Sequence, residues 1–474
     1  MWLCIDQGGH STRAVAFDEA GVVAAEGAAA LETRVSHGDF VEHGPAQLLD
    51  SVGRALQQVS EQLGDECIRL EAAGVASQRS TLVCVSRSTG VALTPVMSWQ
   101  DRRGADDLAR FEAHEARVKE ITGLRVSPHY GVGKLRWCLR HLDIVRDALA
   151  RGDLMAAPLA SYLLQQLCPG GDWRVDPASA SRTLLMDVRS LDWSAQLLDL
   201  FQIPRDVLPR IVPCRYSYGH VRVGNRDVPL VVSTGDQSAA VYCTGAPEPG
   251  TAFINVGTGA FIQCFTGTEP VFDERLLSSI VWQADTSRGY VLEGTVNGAA
   301  SAVDAIAAEL GYPEPPHASE LDAVFADMEE TPLFLNGVSG LGSPDWVARF
   351  PTRFEGDGTR KQKLAAVYES IAFLIMRNLE RMGQRLELER VVMSGGLSQV
   401  DWLVEQVAAL SGLTVVRHED PEATLHGLAY LVSGGVAGAQ DARAAREFSG
   451  SASATTRRRY GLWKQAMERL LTLR

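Results

Sequence analysis

The chain has 474 residues, 46% of them hydrophobic and 22% charged, with a formal charge of −13. This composition excludes a disordered polymer and leaves room for two or three domains, each with a sizeable core. The acidic balance excludes a nucleic-acid surface, which needs clustered Lys and Arg, and is compatible with a small polar substrate.

No apolar run approaches the roughly eighteen residues of a membrane span, and no basic segment followed by an apolar core opens the chain. Eight cysteines at 4, 67, 84, 138, 168, 214, 243 and 264 form no Cys-x-x-Cys pair. Several lie in apolar runs, where a thiol packs as a small hydrophobe, so they read as reduced core residues of a cytoplasmic protein.

In chain order, Trp2 to Ile5 is an apolar strand that runs into Asp6-Gln7-Gly8-Gly9-His10-Ser11-Thr12. Arg13 to Asp18 returns as the second arm of a hairpin. Adjacent glycines in such a turn let backbone N–H groups face a phosphate closely, although a plain hairpin turn accounts for them equally. Asp6 beside that phosphate requires a cation between them, for which magnesium is suited.

Residues 46–64 carry Leu48, Leu49, Val52, Leu56, Val59 and Leu63 at helical spacing. Ala72 to Ser77 is a strand that ends in Gln78-Arg79, and Leu93 to Ser98 leads to Trp99-Gln100-Asp101. Polar groups at the ends of neighbouring strands converge on one rim of a sheet. Gln78, Arg79, Trp99 and Asp101 are therefore expected to line one cavity suited to a polyol, with hydroxyls on the polar groups and C–H edges on the ring. Residues 104–165 read as mostly helical, broken at Gly123 and at Ser127-Pro128-His129-Tyr130-Gly131, where His129 and Tyr130 either line the pocket or pack.

The apolar run Val228 to Thr234 closes on Gly235-Asp236-Gln237 and opens into a small-residue helix start. A carboxylate there is placed either to take a proton from a substrate hydroxyl or to cap the helix. Strand, glycine turn and strand recur at Thr251 to Val256, Gly257-Thr258-Gly259 and Ala260 to Phe265, which points to duplication of one unit with a cleft between the copies. Further on, a helix over 297–310, a long amphipathic helix over 361–386 and a strand ending in Ser394-Gly395-Gly396 are predicted. Beyond about residue 438 the Ala-, Ser- and Arg-rich stretch to 459 reads as a mobile connector, followed by a short terminal helix over 463–471.

Asp6-Gln7-Gly8 with Ser11 and Arg13, Trp99-Gln100-Asp101-Arg102-Arg103, Gly235-Asp236-Gln237, Gly257-Thr258-Gly259, Ser339-Gly340-Leu341-Gly342, Ser394-Gly395-Gly396 and Gly427-Leu428-Ala429 stand in the order of the FGGY carbohydrate kinases. Over residues 1–438 the chain resembles that family, closest to its glycerol kinase branch. The resemblance implies an α/β fold of the two-domain actin/hexokinase (ribonuclease H-like) type, each domain with a mixed central sheet flanked by helices. An N-terminal substrate domain at 1–245, a C-terminal nucleotide domain at 246–438 and a terminal segment at 439–474 follow from it.

The implied activity is transfer of the ATP γ-phosphoryl group to a polyol or sugar with magnesium as cofactor, and a homodimer is one oligomeric option. By position, Asp236 resembles the general base, and Asp6 and Asp236 the magnesium ligands. Gln78, Arg79, Trp99, Asp101, His129, Tyr130 and Gln237 match the substrate contacts. Gly8, Gly9, His10, Ser11 and Arg13, then Gly257, Thr258 and Gly259, match the phosphate grip. Ala300, Asp304, Gly395 and Gly396 match contacts to the rest of the nucleotide.

The chain departs from glycerol kinases at Ser80, where they have Glu, at His129, where they have Tyr, and at Gly9-His10, where they have two threonines. The usual acidic segment after residue 346 is replaced by Val347-Ala348-Arg349-Phe350. These changes predict an acceptor other than glycerol, a different polyol or a ketose. The altered phosphate loop also admits a weakened sugar- or nucleotide-binding relative that uses cleft closure as a switch.

Overall fold

A computed structural model describes residues 1–285, 287–419, 422–436 and 445–472. Two hairpins, each closed by a glycine turn, seed its two main sheets. In the first half, Trp2–Gln7 pairs antiparallel with Ser11–Phe17, from Trp2 opposite Phe17 to Gln7 opposite Thr12. Val23–Ala30 continues that side. On the other side Ala72–Ser77 and then Arg226–Gly235 run parallel to the first strand, and Arg215–Val223 closes the edge antiparallel.

The second half repeats the plan. Thr251–Val256 pairs antiparallel with Ala260–Gly267, followed outward by Ser287–Val296 and Leu277–Ala284. Arg390–Ser394 and Thr414–His418 add parallel on the opposite side, and Ala445–Phe448 is the antiparallel edge. Each sheet thus has its first strand in the middle, antiparallel partners on one flank and parallel partners on the other. The duplication expected from the two glycine hairpins is present as a shared topology.

The first strand shows how the sequence builds the layers. Side chains alternate across a sheet. Leu3 and Ile5 accordingly join Leu48, Val52 and Val59 of the helix Pro45–Leu63, whereas Trp2 and Cys4 join Leu428 and Val432 of the helix Ala423–Ser433. A helix from the end of the second half therefore covers one face of the first sheet. Glycines let it approach: a Cβ on Gly427 would lie 1.9 Å from the carbonyl oxygen of Ala239, and one on Gly74 would lie 2.4 Å from Val432.

Two expectations are corrected. Residues 104–165 are mostly helical, as expected, but they also hold an unforeseen strand, Leu154–Pro158, buried in a five-stranded sheet with Leu82–Ser86. Its Leu-Met-Ala-Ala composition suits a helix, and full burial together with pairing along Leu82–Ser86 at the sheet's edge overrides that preference. The expected connector contains the strand Ala445–Phe448, and the terminal helix runs over Ala454–Thr472. Tyr460, Trp463 and Met467 fall on one helical face and are buried, with Trp463 Nε1 donating to the Phe334 carbonyl at 2.9 Å. The part of that connector over 437–444 lies outside the described residues. All eight cysteines are free and buried, as expected. No helix among the described residues is long and apolar enough to cross a membrane.

Candidate active site

Three parallel strands of the first sheet end level with one another, and their ends carry the chemistry. Asp6 is opposite Ala76 and Gln7 opposite Ser77, while Ser77 is opposite Gly235. The next residues, Gly8, Gln78 with Arg79, and Asp236, consequently share one rim. Asp236 is the first residue of the helix Asp236–Ala240. Its carboxylate accepts the N–H of Gln237, in the first turn of that helix, at 2.7 Å.

Arg79 Nε stands 3.8 Å from Asp236 Oδ1. Burial raises the Asp236 carboxyl above its ordinary range, and the Arg79 guanidinium opposes that rise. Asp6 is pushed up to about 8 by burial and by the carboxylates of Asp236 and Glu422, against Arg13. Its Oδ1 is buried and accepts no hydrogen bond. A buried carboxylate oxygen without a donor, next to a second carboxylate, is a donor set that fits a hard divalent cation. No cluster of three or more His, Cys, Asp or Glu able to hold a metal occurs among the described residues. Magnesium would consequently take most of its shell from water and phosphate.

The pocket wall is aromatic. Trp99 lies 6.3 Å from the His129 ring and 6.4 Å, edge-on, from Phe261 of the second half. His129 Nδ1 is 3.1 Å from the Trp99 carbonyl, an acceptor only, so that nitrogen carries the proton. Burial lowers His129 to about 4, so its ring is neutral at neutral pH and Nε2 is an acceptor. Beneath it Lys134 is wholly buried, with Nζ donating to the carbonyls of His129 at 2.5 Å and Ser80 at 3.3 Å. One ammonium thus ties together the two segments that carry Arg79-Ser80 and His129.

Three expected pocket residues are otherwise occupied. Asp101 has no exposed surface and spends its oxygens on the Val41 N–H and on the backbone and guanidinium of Arg103. Gln78 is buried, accepts from Thr81 and donates to the Gly8 carbonyl at 3.2 Å, so it braces the glycine turn. Tyr130 is buried, with its hydroxyl beside the Arg182 guanidinium. A spacing argument cannot separate a polar side chain that faces a cavity from one that satisfies a buried turn behind it. Gln237 lies at the seam between halves, beside Asn255 and Gln263.

Of the first glycine turn, Gly8 N–H closes on the Ser11 carbonyl at 2.9 Å, and a Cβ on Gly9 would lie 4.0 Å from the indole nitrogen of Trp99. His10 is exposed, and Arg13 is paired with Glu26 and Glu422. In the second turn Gly257 N–H bonds the Gly259 carbonyl. The carbonyls of Gly257 and Thr258 accept from Ala300 and Ser301, which fixes the turn to the start of the helix Ala300–Glu309, with Asp304 exposed one turn on. The last glycine pair divides its work. Gly395 has φ +87° and a Cβ there would meet the Val256 carbonyl at 2.7 Å, whereas a Cβ on Gly396 would meet nothing within 4 Å.

The residues missed from sequence are Phe261, Lys134, Arg182 and Glu293. Arg182 Nη2 reaches both Glu293 oxygens at 2.5 and 2.6 Å, and Arg79 Nη1 reaches Oε1 at 3.0 Å. These two arginines hold Glu293 down to about 2, against the effect of its burial. A carboxylate inside the apolar run Tyr290-Val291-Leu292 was the available signal, since Glu is rarely buried unless paired. Phe261 carries no such signal, because an aromatic in a strand reads as core.

The sequence matches the model of the N-terminal domain of the FGGY family of carbohydrate kinases over residues 1–243 and that of its C-terminal domain over 252–434. It is 32% identical to a glycerol kinase of Alkalilimnicola ehrlichii over 486 residues, covering 98% of this chain and 97% of the relative. It is 30% identical to glycerol kinase 1 of Pseudomonas aeruginosa, covering 90% and 89%. The fold matches the crystal structure of Plasmodium falciparum glycerol kinase with ADP at a TM-score of 0.89, 22% identity and coverage of 99% and 98%. It matches xylulose kinase from Rhodospirillum rubrum at 0.86, 20% identity and 99% of both chains. The two-domain α/β architecture of mixed sheets is the one these kinases share, and the chain is a kinase that belongs to the FGGY family of carbohydrate kinases.

Proposed function

We propose that this chain transfers the terminal phosphoryl group of ATP to a hydroxyl of a small polyol or sugar, with Asp236 as general base. The observation that carries the reading is the common rim on which Asp236, Asp6 and Arg79 stand, beside the first glycine turn. Asp236 takes the proton from the attacking hydroxyl, and burial strengthens it as a base. Arg79 donates to the acceptor, while Trp99 and Phe261 pack its C–H edge.

Backbone N–H groups of the Gly8–Ser11 turn face the β- and γ-phosphates, and Gly257, Thr258 and Gly259 face the other side of the chain. The open space at Gly396 admits the adenine. Magnesium, when bound, neutralises phosphate charge, and Asp6 and Asp236 would hold it largely through water. Closure of the halves excludes water from the acceptor. The protein acts in the cytoplasm, where its buried thiols stay reduced.

Acceptor choice follows from Ser80 and His129. Both are shorter than the Glu and Tyr of the glycerol kinase pattern, and the Ser80 carbonyl is held by Lys134. The extra room and the lost carboxylate favour a longer polyol or a ketose over glycerol. ATP consumption measured across a panel of polyols and sugars, with the phosphorylated product identified by mass, tests this. One acceptor should stand out above glycerol; consumption with none of them would contradict the reading.

A further inference from the structure

The charged cluster at the seam between the halves is not explained by holding the chain together. Arg79 follows the strand Ala72–Ser77 and Arg182 follows the helix Pro177–Ser181, both in the first half. Glu293, Gln263 and Ser279 project from strands of the second half. Arg182 Nη2 donates to both oxygens of Glu293 and to Ser279 Oγ at 2.9 Å, and Gln263 Nε2 donates to Glu293 Oε1 at 2.9 Å. Arg79 Nη1 takes the remaining approach at 3.0 Å. Glu293 and Arg182 are each 5% exposed.

Such buried ion clusters give little net stability, because desolvation cancels most of the attraction, but they fix position closely. What is fixed here is Arg79. Its guanidinium is shared between Glu293 and Asp236, with the closer contact to Glu293 and the longer one, 3.8 Å, to Asp236. Without Glu293 the fork would be free to swing onto Asp236 as a bidentate pair and leave the acceptor side of the pocket.

We propose that Glu293 is a positioning residue for the acceptor: from the second half it holds Arg79 of the first, and Arg182 holds Glu293 in turn. The acceptor pocket is therefore complete only when the two halves are together. This rests on the kinase reading above and adds to it a route by which nucleotide-driven closure readies the acceptor side.

The test is steady-state kinetics of Glu293→Gln, which keeps shape and removes charge, and of Arg182→Lys, a milder change that keeps charge and loses the fork. Glu293→Gln should raise the acceptor KM about thirtyfold or more while the ATP KM moves less than about threefold. Arg182→Lys should show the same split at about three- to tenfold. Equal movement of both KM values, or unchanged kinetics with only a lower Tm, would overturn the proposal and leave the cluster as seam packing.

If the wild-type protein phosphorylates nothing in the panel, the kinase reading fails separately. The linkage is then judged by a double-mutant cycle of Arg79→Met and Glu293→Gln in urea unfolding. Additive effects would overturn it, and coupling of about fivefold or more in the unfolding constant would sustain it.

Discussion

Gly235 and Arg79 are packed so closely that a methyl group at position 235 would lie 2.5 Å from both Cγ and Cδ of the arginine. The glycine of Gly235-Asp236-Gln237 is thus there for the residue just beyond the next strand, and it sets the height at which Arg79 passes Asp236, the proposed base. Gly235→Ala is expected to displace the guanidinium and to lower kcat/KM for the acceptor by about 10- to 100-fold, with a stability loss of about 1–3 kcal/mol. Acceptor kinetics beside thermal unfolding measure both; unchanged kcat/KM would separate Arg79 from acceptor binding.

Gly395 and Gly396 should respond oppositely. Gly395→Ala collides with the Val256 backbone at positive φ and is expected to cost about 1–3 kcal/mol of stability. Gly396→Ala adds a methyl group to open space, so it should leave Tm in place and raise the KM for ATP several-fold. The pair of thermal melts and ATP titrations checks this, and the reverse pattern would move the adenine elsewhere.

His129, lowered to about 4, stays neutral across the working range. The acceptor kcat/KM should show no inflection from this ring between about pH 5.5 and 8. His129→Tyr combined with Ser80→Glu should shift preference towards glycerol without altering the pH profile. A limb near pH 6.5 that disappears with His129→Tyr, or no gain on glycerol, would contradict the account of the pocket.

Lys134 provides a stability test. Burial lowers it to about 7 from an ordinary 10.5. Between those values the unfolded chain binds more protons than the folded one, so stability rises with pH. The cost of the buried charge is complete below about pH 7 and gone above about 10.5. The difference in unfolding free energy, wild type minus Lys134→Met, should therefore increase from pH 7 to 10, by at most about 5 kcal/mol. Urea unfolding at several pH values measures it; a flat difference would place the ammonium in a polar setting.

Much of this was legible in the sequence where a residue type has one cheap reason for its place. Glycine turns after apolar runs located both hairpins, and the carboxylates Asp6 and Asp236 marked strand ends that the sheet brings level. What escaped was partner choice. Asp101 and Glu293 are both buried acids beside arginines, and only the tertiary fold tells that the first closes a local turn while the second reaches across the seam. Likewise Ala445–Phe448 is a strand because Thr414–His418 offers it an edge, which its own composition does not announce.

The proposed reaction turns on one carboxylate, at position 236, which removes the acceptor proton. Asp236→Asn keeps the shape of the side chain and removes its basicity. With the best acceptor from the panel, it should lower turnover by about 10²- to 10⁴-fold while ATP binding measured by calorimetry stays within a few-fold of wild type. Turnover equal to wild type with ATP bound would contradict the account.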